Sequence, residues 1–119
     1  MALPNAGDIV WVDLNDARGS EQSGRRPALV LSSLTYHEVS PRTIVCPITR
    51  RIRGWPTEVA LPEGLMTAGV VLCDQIRTID REQRPLFVAE MAPAILVVEV
   101  RRRIASLLGI EMIANLPPP

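Results

Sequence analysis

Short apolar runs separated by glycine, proline and polar residues fill most of this chain, a pattern typical of β-strands. The predicted strands cover residues 8–13, 27–32, 43–48, 57–61 and 86–90, and residues 69–73 and 75–79 form a further strand or a bulged pair. The run 8–13 alternates apolar and polar side chains, whereas 27–32 is apolar enough to be buried on both faces of a sheet.

One segment near the C-terminus has a different period. Beyond Pro93, apolar side chains recur at a spacing of three and four, at Val97, Val100, Ile104, Leu107 and Leu108. Gly109 follows as a stop signal, which predicts one amphipathic helix of about four turns. Arg101, Arg102 and Arg103 lie in its C-terminal half and are interpreted as a solvated face that suits the helix dipole.

Several short strands followed by one helix indicate a β-dominated α+β fold. We expect a small closed or nearly closed β-barrel with the C-terminal amphipathic helix packed on it. The 119 residues suffice for one domain, predicted over residues 1–110, with a flexible proline-rich tail at 111–119. The sequence contains no signal peptide and no apolar run long enough to span a bilayer, so a cytoplasmic protein is expected.

The charge of this chain is balanced but unevenly distributed. Thirteen arginines oppose thirteen acidic residues, and lysine is absent. Residues 25–54 contain six of the arginines and a single acid, Glu38. The charged residues of 8–21 are four acids and one arginine. Arginine forms forked hydrogen bonds to phosphate and stacks on bases, so the basic region is a candidate anion-binding surface.

The residues of many common active sites are scarce. His37 is the only histidine, and its place in a probable turn indicates an ordinary surface residue. Cys46 and Cys73 lie in separate strand-like runs and are predicted to be buried, reduced thiols. No metal-binding or nucleotide-binding motif is present, so neither a metal nor another cofactor is expected. If the chain is an enzyme, Arg, Thr, Ser, Glu and Gln must perform the chemistry.

Two polar clusters next to strand ends are candidates for such a site. Residues 19–24 offer two glycines, two hydroxyls, a carboxylate and an amide, a composition that lets a loop approach a phosphate closely. Arg26 precedes Pro27, which biases its backbone to an extended conformation. Thr49 follows the third strand. Composition alone favours a binding loop and a polar hairpin turn about equally.

Four separated motifs resemble the MazF/PemK toxins, which are ribosome-independent endoribonucleases of toxin–antitoxin operons. They are GDIVWVD at 7–13, GSEQSGRRP at 19–27, VCPIT at 45–49 and DQIRTI at 74–79. The resemblance covers roughly residues 7–110, and the motifs occur in the family's order. It implies an SH3-like, CcdB/PemK-like barrel that forms a homodimer, with RNA bound in a groove across the interface.

The resemblance also implies a chemistry and a partner. Single-stranded RNA, including mRNA, would be cleaved at specific sequences without a metal, by attack of the ribose 2′-OH on the adjacent phosphorus. The products would be a 2′,3′-cyclic phosphate and a 5′-OH. A cognate MazE-like antitoxin would restrain the toxin with an acidic segment that folds over the groove. No association with a membrane is implied.

By motif position, Arg26 would stabilise charge on the phosphate, Thr49 would hydrogen-bond the scissile group, and Glu21 is a candidate base. The predicted RNA-binding residues are Ser20, Gln22, Arg25, Arg50, Arg53, Trp55, Pro56 and Gln75. For Trp55, a stacking surface and a partly buried core residue are both open. Glu58 adds negative charge near the groove. The alternatives are a CcdB-like toxin that poisons gyrase without cleaving anything, and a non-catalytic RNA-binding homologue.

Overall fold

The structure is a computed structural model that describes residues 2–15, 19, 21 and 24–111. Its elements are β1 (Asp8–Asp13), β2 (Arg25–Val30), α1 (Leu34–Val39), β3 (Arg42–Thr49), β4 (Glu58–Ala60), β5 (Val70–Leu72), a 3₁₀ helix (Cys73–Gln75), β6 (Arg77–Asp80), β7 (Leu86–Met91) and α2 (Ala94–Leu107). Every predicted strand is confirmed within a few residues, and the uncertain run 69–79 is two strands joined by the 3₁₀ helix. The short helix α1 was not predicted. Most of the predicted tail, 112–119, lies outside the described residues.

The seven strands form an antiparallel sheet in the order β4-β5-β3-β2-β1-β7. β3 also pairs with β6, so its outer edge is shared between β6 near the start of the strand and β5 at its end. The β-dominated α+β class is confirmed. The expected closure is not found in the described part of the chain, because no pairing there joins β7 to β4 or β6.

Strand alternation divides the core between the two faces of the sheet. Ile9, Leu29 and Cys46 belong to one buried cluster, and the neighbouring residue in each strand belongs to the other. The first cluster is covered by Leu96, Val97 and Val100 of α2. Burial on both faces explains why β2 is apolar in its second half.

The C-terminal helix is confirmed, but two of its arginines do more than face solvent. The Arg101 side chain donates a hydrogen bond to the carbonyl of Leu31 at 2.8 Å. Arg103 donates to the carbonyls of Pro56 and Glu58 and to the carboxylate of Glu99. Arg101 and Arg102 are exposed, as predicted, whereas Arg103 is only partly exposed and binds the segment around the start of β4. Among the described residues, neither helix is long and apolar enough to span a membrane.

Both cysteines are free and buried, as predicted. Burial raises the pKa of the Cys73 thiol to about 11 and raises that of Cys46 further. The thiolate is the reactive form of cysteine. Both side chains therefore remain protonated at neutral pH and act as small apolar residues of the core.

His37 is not the surface residue that its polar neighbours indicated, because only 2% of it is exposed. It lies in α1, where its Nδ1 atom is 2.6 Å from the Pro4 carbonyl and its Nε2 atom is 2.6 Å from the Ser32 hydroxyl. A carbonyl can only accept, so Nδ1 is the donor in the first bond. His37 thus ties the N-terminal segment to the end of β2, a contact that its place in the sequence does not reveal.

Replacing His37 with Phe retains an aromatic ring but removes both hydrogen bonds. Because the buried Pro4 carbonyl then lacks its partner, we expect the free energy of unfolding to fall by about 1–3 kcal/mol. Urea denaturation measures this change. The exposed neighbour substitution Glu38→Gln serves as the control, and equal midpoints for the two variants would contradict the structural role of His37.

Candidate functional site

Two cavities meet at the end of β3. The larger one, about 630 Å³, lies between the start of β2, the end of β3 and the loop that follows β4. The smaller one, about 260 Å³, lies between the loop 50–57 and the 3₁₀ helix. Thr49 and Arg51 line both cavities. The two cavities therefore adjoin at Thr49, and together they are called the groove.

The register of β2 and β3 brings Arg26 and Thr49 to this groove. Ala28 pairs with Pro47 in the antiparallel ladder. Arg26 lies two residues before Ala28 in β2, and Thr49 lies two residues after Pro47 at the end of β3, so both lie just beyond the same end of this ladder. Both line the larger cavity. Two residues that are 23 positions apart in sequence thus become neighbours of one site.

Thr49 is held rigidly at the floor of the groove, with 6% of its surface exposed. Its Oγ1 atom accepts a hydrogen bond from the Arg51 backbone N–H at 3.1 Å, which leaves the hydroxyl hydrogen free to be directed elsewhere. Its backbone pairs with Val70 of β5. Gly69, which directly precedes Val70, packs so closely that an added Cβ would lie 2.1 Å from the Thr49 carbonyl oxygen.

A carboxylate from β7 holds the outer wall of the larger cavity. Glu90 accepts hydrogen bonds from the backbone N–H groups of Met66 and Thr67, at 2.9 and 2.8 Å, and from the Thr67 hydroxyl at 2.6 Å. The hydroxyl bond lowers the pKa of Glu90 below its ordinary value, and the backbone bonds act in the same direction against the opposing effect of desolvation. This clasp fixes the loop between β4 and β5 against the sheet.

Arginine and aromatic side chains are stacked at both ends of the groove. The Arg25 guanidinium lies 5.3 Å from the centre of the Phe87 ring, beside the larger cavity. The Arg53 guanidinium lies 5.0 Å from the ring of Trp55, in the smaller one. Because 53% of Trp55 is exposed, the structure favours the stacking surface over the core residue among the two alternatives for this side chain.

Glu58 is 9% exposed, and its charge is directed at the protein backbone. Its carboxylate accepts hydrogen bonds from the backbone N–H groups of Arg53, at 3.2 Å to each oxygen, and of Gly54, at 2.9 Å. The expectation that Glu58 adds negative charge near the groove is refined by this arrangement. Glu58 lines the smaller cavity, but its carboxylate oxygens are hydrogen-bonded to the loop that forms the wall of that cavity.

Most of the residues proposed from the sequence lie in this groove. The larger cavity is lined by Arg25, Arg26, Thr49 and Arg50, and the smaller one by Glu21, Thr49, Arg53, Trp55 and Gln75. Pro56 lines neither cavity, and its carbonyl accepts a bond from Arg103. Ser20 and Gln22 lie outside the described residues. Within residues 2–15, 19, 21 and 24–111, no three His, Cys, Asp or Glu side chains are grouped as a metal site would require.

Sequence reasoning missed Gly69, Thr67 and Glu90, which shape the groove without resembling a motif. Gly69 directly precedes an apolar run, and an isolated glycine there is a signal of close backbone approach. For Glu90 no signal exists in the sequence, because its partners are 23 and 24 positions away.

Residues 5–108 match the family model described as PemK-like, MazF-like toxin of type II toxin-antitoxin system. The chain belongs to this toxin family. It is 42% identical over 77 residues to the endoribonuclease toxin MazF of Escherichia coli K12, covering 65% of this chain and 68% of that protein. It is 34% identical over 107 residues to the Escherichia coli endoribonuclease PemK, covering 86% of this chain and 80% of the relative.

Solved structures of this toxin family have the same fold. The crystal structure of MazF from Deinococcus radiodurans superposes with a TM-score of 0.88 at 44% identity, covering 92% of this chain and all of that one. A MazE–MazF crystal structure from the same organism gives a TM-score of 0.81 at 40% identity, covering 93% and 100% of the two chains.

Gly69→Ala is expected to displace the backbone of Thr49. Gly64 provides a matched control, because both glycines have positive φ, +121° and +94°, but a Cβ at Gly64 has nothing within 4 Å. Both substitutions introduce backbone strain, and only Gly69→Ala adds the collision. We expect Gly69→Ala to lower the free energy of unfolding by about 1–3 kcal/mol more than Gly64→Ala. Urea denaturation of both variants measures the difference, and equal losses would show that the close contact is relieved at no cost.

Glu90→Gln is expected to change the acid sensitivity of the protein. The folded-state pKa of Glu90 is lowered, so its contribution to stability is complete above the ordinary glutamate pKa of about 4.3 and is lost as the pH falls through the lower folded-state value. The stability of the unmodified protein should therefore fall more steeply with acidification over this interval than that of Glu90→Gln. Urea midpoints at a series of pH values give both profiles, and parallel profiles would exclude the clasp as an acid-sensitive contact.

Proposed function

We propose that this chain is the toxin of a toxin–antitoxin system and acts in the cytoplasm as a sequence-specific, metal-independent and ribosome-independent endoribonuclease on single-stranded RNA, including mRNA. The observation that carries the proposal is that Arg26 and Thr49, from two different strands, line one cavity. Membership of the MazF-like toxin family, with Escherichia coli relatives named as endoribonucleases, supports it.

The proposed reaction is an internal transesterification of RNA. The ribose 2′-oxygen bonds to the adjacent phosphorus, and the bond from phosphorus to the 5′-oxygen of the next nucleotide breaks. The 2′-OH loses a proton and the leaving oxygen gains one, so the products are a 2′,3′-cyclic phosphate and a 5′-OH. The extra negative charge on the phosphate in the transition state requires fixed donors.

Arg26 and Thr49 supply such donors in this groove. A guanidinium is a poor proton donor, so the proposed role of Arg26 is to stabilise the phosphate charge. The Thr49 hydroxyl, fixed where the two cavities adjoin, is assigned to hydrogen bonding of the scissile phosphate or the 2′-OH. Glu21 lines the smaller cavity with Thr49 and is the candidate base.

The rest of the groove is proposed to bind the RNA strand. Arg25, Arg50 and Arg53 would contact phosphates, and Trp55 would stack on an unpaired base. Ser20, Gln22, Pro56 and Gln75 are retained as RNA contacts because they match the motifs of the family. A homodimer would extend the groove across two copies of the chain.

A MazE-like antitoxin is the proposed protein partner. Structures of MazF from Deinococcus radiodurans include complexes with MazE. An acidic, extended segment of such a partner would be attracted to the same arginines that are proposed to bind RNA. RNA and antitoxin would then compete for one surface.

Arg26→Ala and Thr49→Ala should each lower the rate of RNA cleavage by about 100-fold or more, the loss typical of removing one fixed donor to a developing charge. Purified protein is incubated with a long single-stranded RNA in EDTA, and the 5′-OH ends are mapped. Arg102→Ala, an exposed substitution on α2 away from the groove, should leave cleavage unchanged.

Several results would reject this function. Absence of cleavage together with gyrase inhibition would favour a CcdB-like toxin, and RNA binding without cleavage would indicate a non-catalytic homologue. Cleavage that EDTA abolishes would leave an endoribonuclease but reject the metal-independent mechanism.

A further inference from the structure

Glu58 is the first residue of β4 and stands where the sheet, the loop 50–57 and α2 meet. Its backbone pairs with Leu72 of β5, and its side chain is almost fully buried. A buried carboxylate is costly unless hydrogen-bond donors satisfy it. The donors in this protein belong to the neighbouring basic loop.

The bonds made by Glu58 hold three successive residues of the loop 50–57. Its carboxylate accepts from the backbone N–H groups of Arg53 and Gly54, and its own backbone N–H donates to the Trp55 carbonyl at 3.0 Å. Gly54 has a φ of +79°, a conformation that favours glycine and turns the chain toward the carboxylate. The side chain of Glu58 therefore fixes the backbone at Arg53 and Gly54, and its backbone N–H fixes that of Trp55.

The same loop has a second anchor on α2. Arg103 donates to the carbonyls of Pro56 and Glu58, and Glu99 holds its guanidinium from one helical turn away at 3.0 Å. No helix or strand is present between Thr49 and Glu58. The position of the loop therefore depends on side-chain contacts, and it carries the stacked pair Arg53 and Trp55.

We propose that Glu58 is a positioning residue of the RNA site. By holding the backbone of Arg53 and Gly54, its carboxylate keeps the Arg53–Trp55 pair in place as a rigid platform for an unpaired base next to the scissile phosphate. The inference rests on the proposed endoribonuclease function and adds to it a residue that acts on substrate binding through the loop. Rigid placement of a binding surface reduces the entropy lost when the ligand binds.

Glu58→Gln distinguishes positioning from simple electrostatic repulsion, because the two roles predict changes of KM in opposite directions. Removing a negative charge beside a polyanion should strengthen binding of RNA and lower KM. Replacing one carboxylate oxygen with an amide NH2, which cannot accept, weakens the bonds that order the loop and should raise KM instead. We expect Glu58→Gln to raise KM about tenfold, equivalent to about 1.4 kcal/mol of binding free energy, with kcat nearly unchanged. Glu63→Gln, the same change in an exposed turn, is the matched control and should show no rise in KM.

Two further variants test the chain of contacts. Glu58→Ala, which retains no acceptor, should raise KM more than Glu58→Gln does. Arg103→Gln removes the second anchor from a partly exposed position, so it should raise KM in the same direction but by less. This variant keeps the proposal testable if the substitutions of Glu58 prevent folding, which thermal unfolding of each protein reveals.

A spectroscopic measurement reports the loop without RNA cleavage. In a Trp11→Phe background Trp55 is the only tryptophan. Its fluorescence anisotropy should fall on Glu58→Gln, because the side chain then moves independently of the sheet, and should stay constant on Glu63→Gln. An unchanged anisotropy would overturn the proposal even if RNA binding weakens.

The kinetic outcomes are equally decisive. A fall in kcat that exceeds the rise in KM would make Glu58 a participant in proton transfer, and an unchanged or lowered KM would make it irrelevant to the platform. Both results overturn the proposal. If the unmodified protein cleaves no RNA, the proposed function fails, and the anisotropy still determines whether Glu58 orders the loop.

Discussion

The antiparallel pairing of β2 with β3 is the constraint on which the functional groove depends. It sets Ala28 against Pro47, and Arg26 and Thr49 lie two residues beyond this pair, where both line the larger cavity. Because side chains alternate along a strand, a shift of one residue in β3 would turn Thr49 to the other face. The apolar residues of β2 and β3, buried on both faces of the sheet, fix this register.

The pairing of β3 also explains why the floor of the groove is rigid. The walls, by contrast, are loops without regular secondary structure. β3 pairs with β2 along one edge as far as Pro47 and with β6 and β5 along the other, where Val70 of β5 supports its end at Thr49. The walls are loops, each held by one glutamate: Glu90 clasps Met66 and Thr67, and Glu58 clasps Arg53 and Gly54. Loops held in this way can differ in sequence between relatives while the floor stays constant.

Prediction from the sequence succeeded where a local pattern has one structural meaning. Apolar residues at a spacing of three and four can form one face only on a helix, which is why α2 was located correctly. Arg26 and Thr49 were singled out because they adjoin predicted strand ends and match motifs of the family, and Gln75 was singled out by its motif alone. His37 was misplaced because polar neighbours indicate exposure, whereas its burial arises from contacts with Pro4 and Ser32.

The sequence by itself determined the class of fold, the two-faced burial of β2, the C-terminal helix and the family to which the chain belongs. Each of these follows from periodicity or from residue types at fixed spacing, which are local properties. Only the tertiary structure decided that the sheet stays open in the described part of the chain, that Gly69 contacts Thr49, and that Glu58 and Glu90 serve as loop clasps. These features depend on which distant backbone N–H group reaches which oxygen, and that is settled only when the strands have paired and the loops have packed.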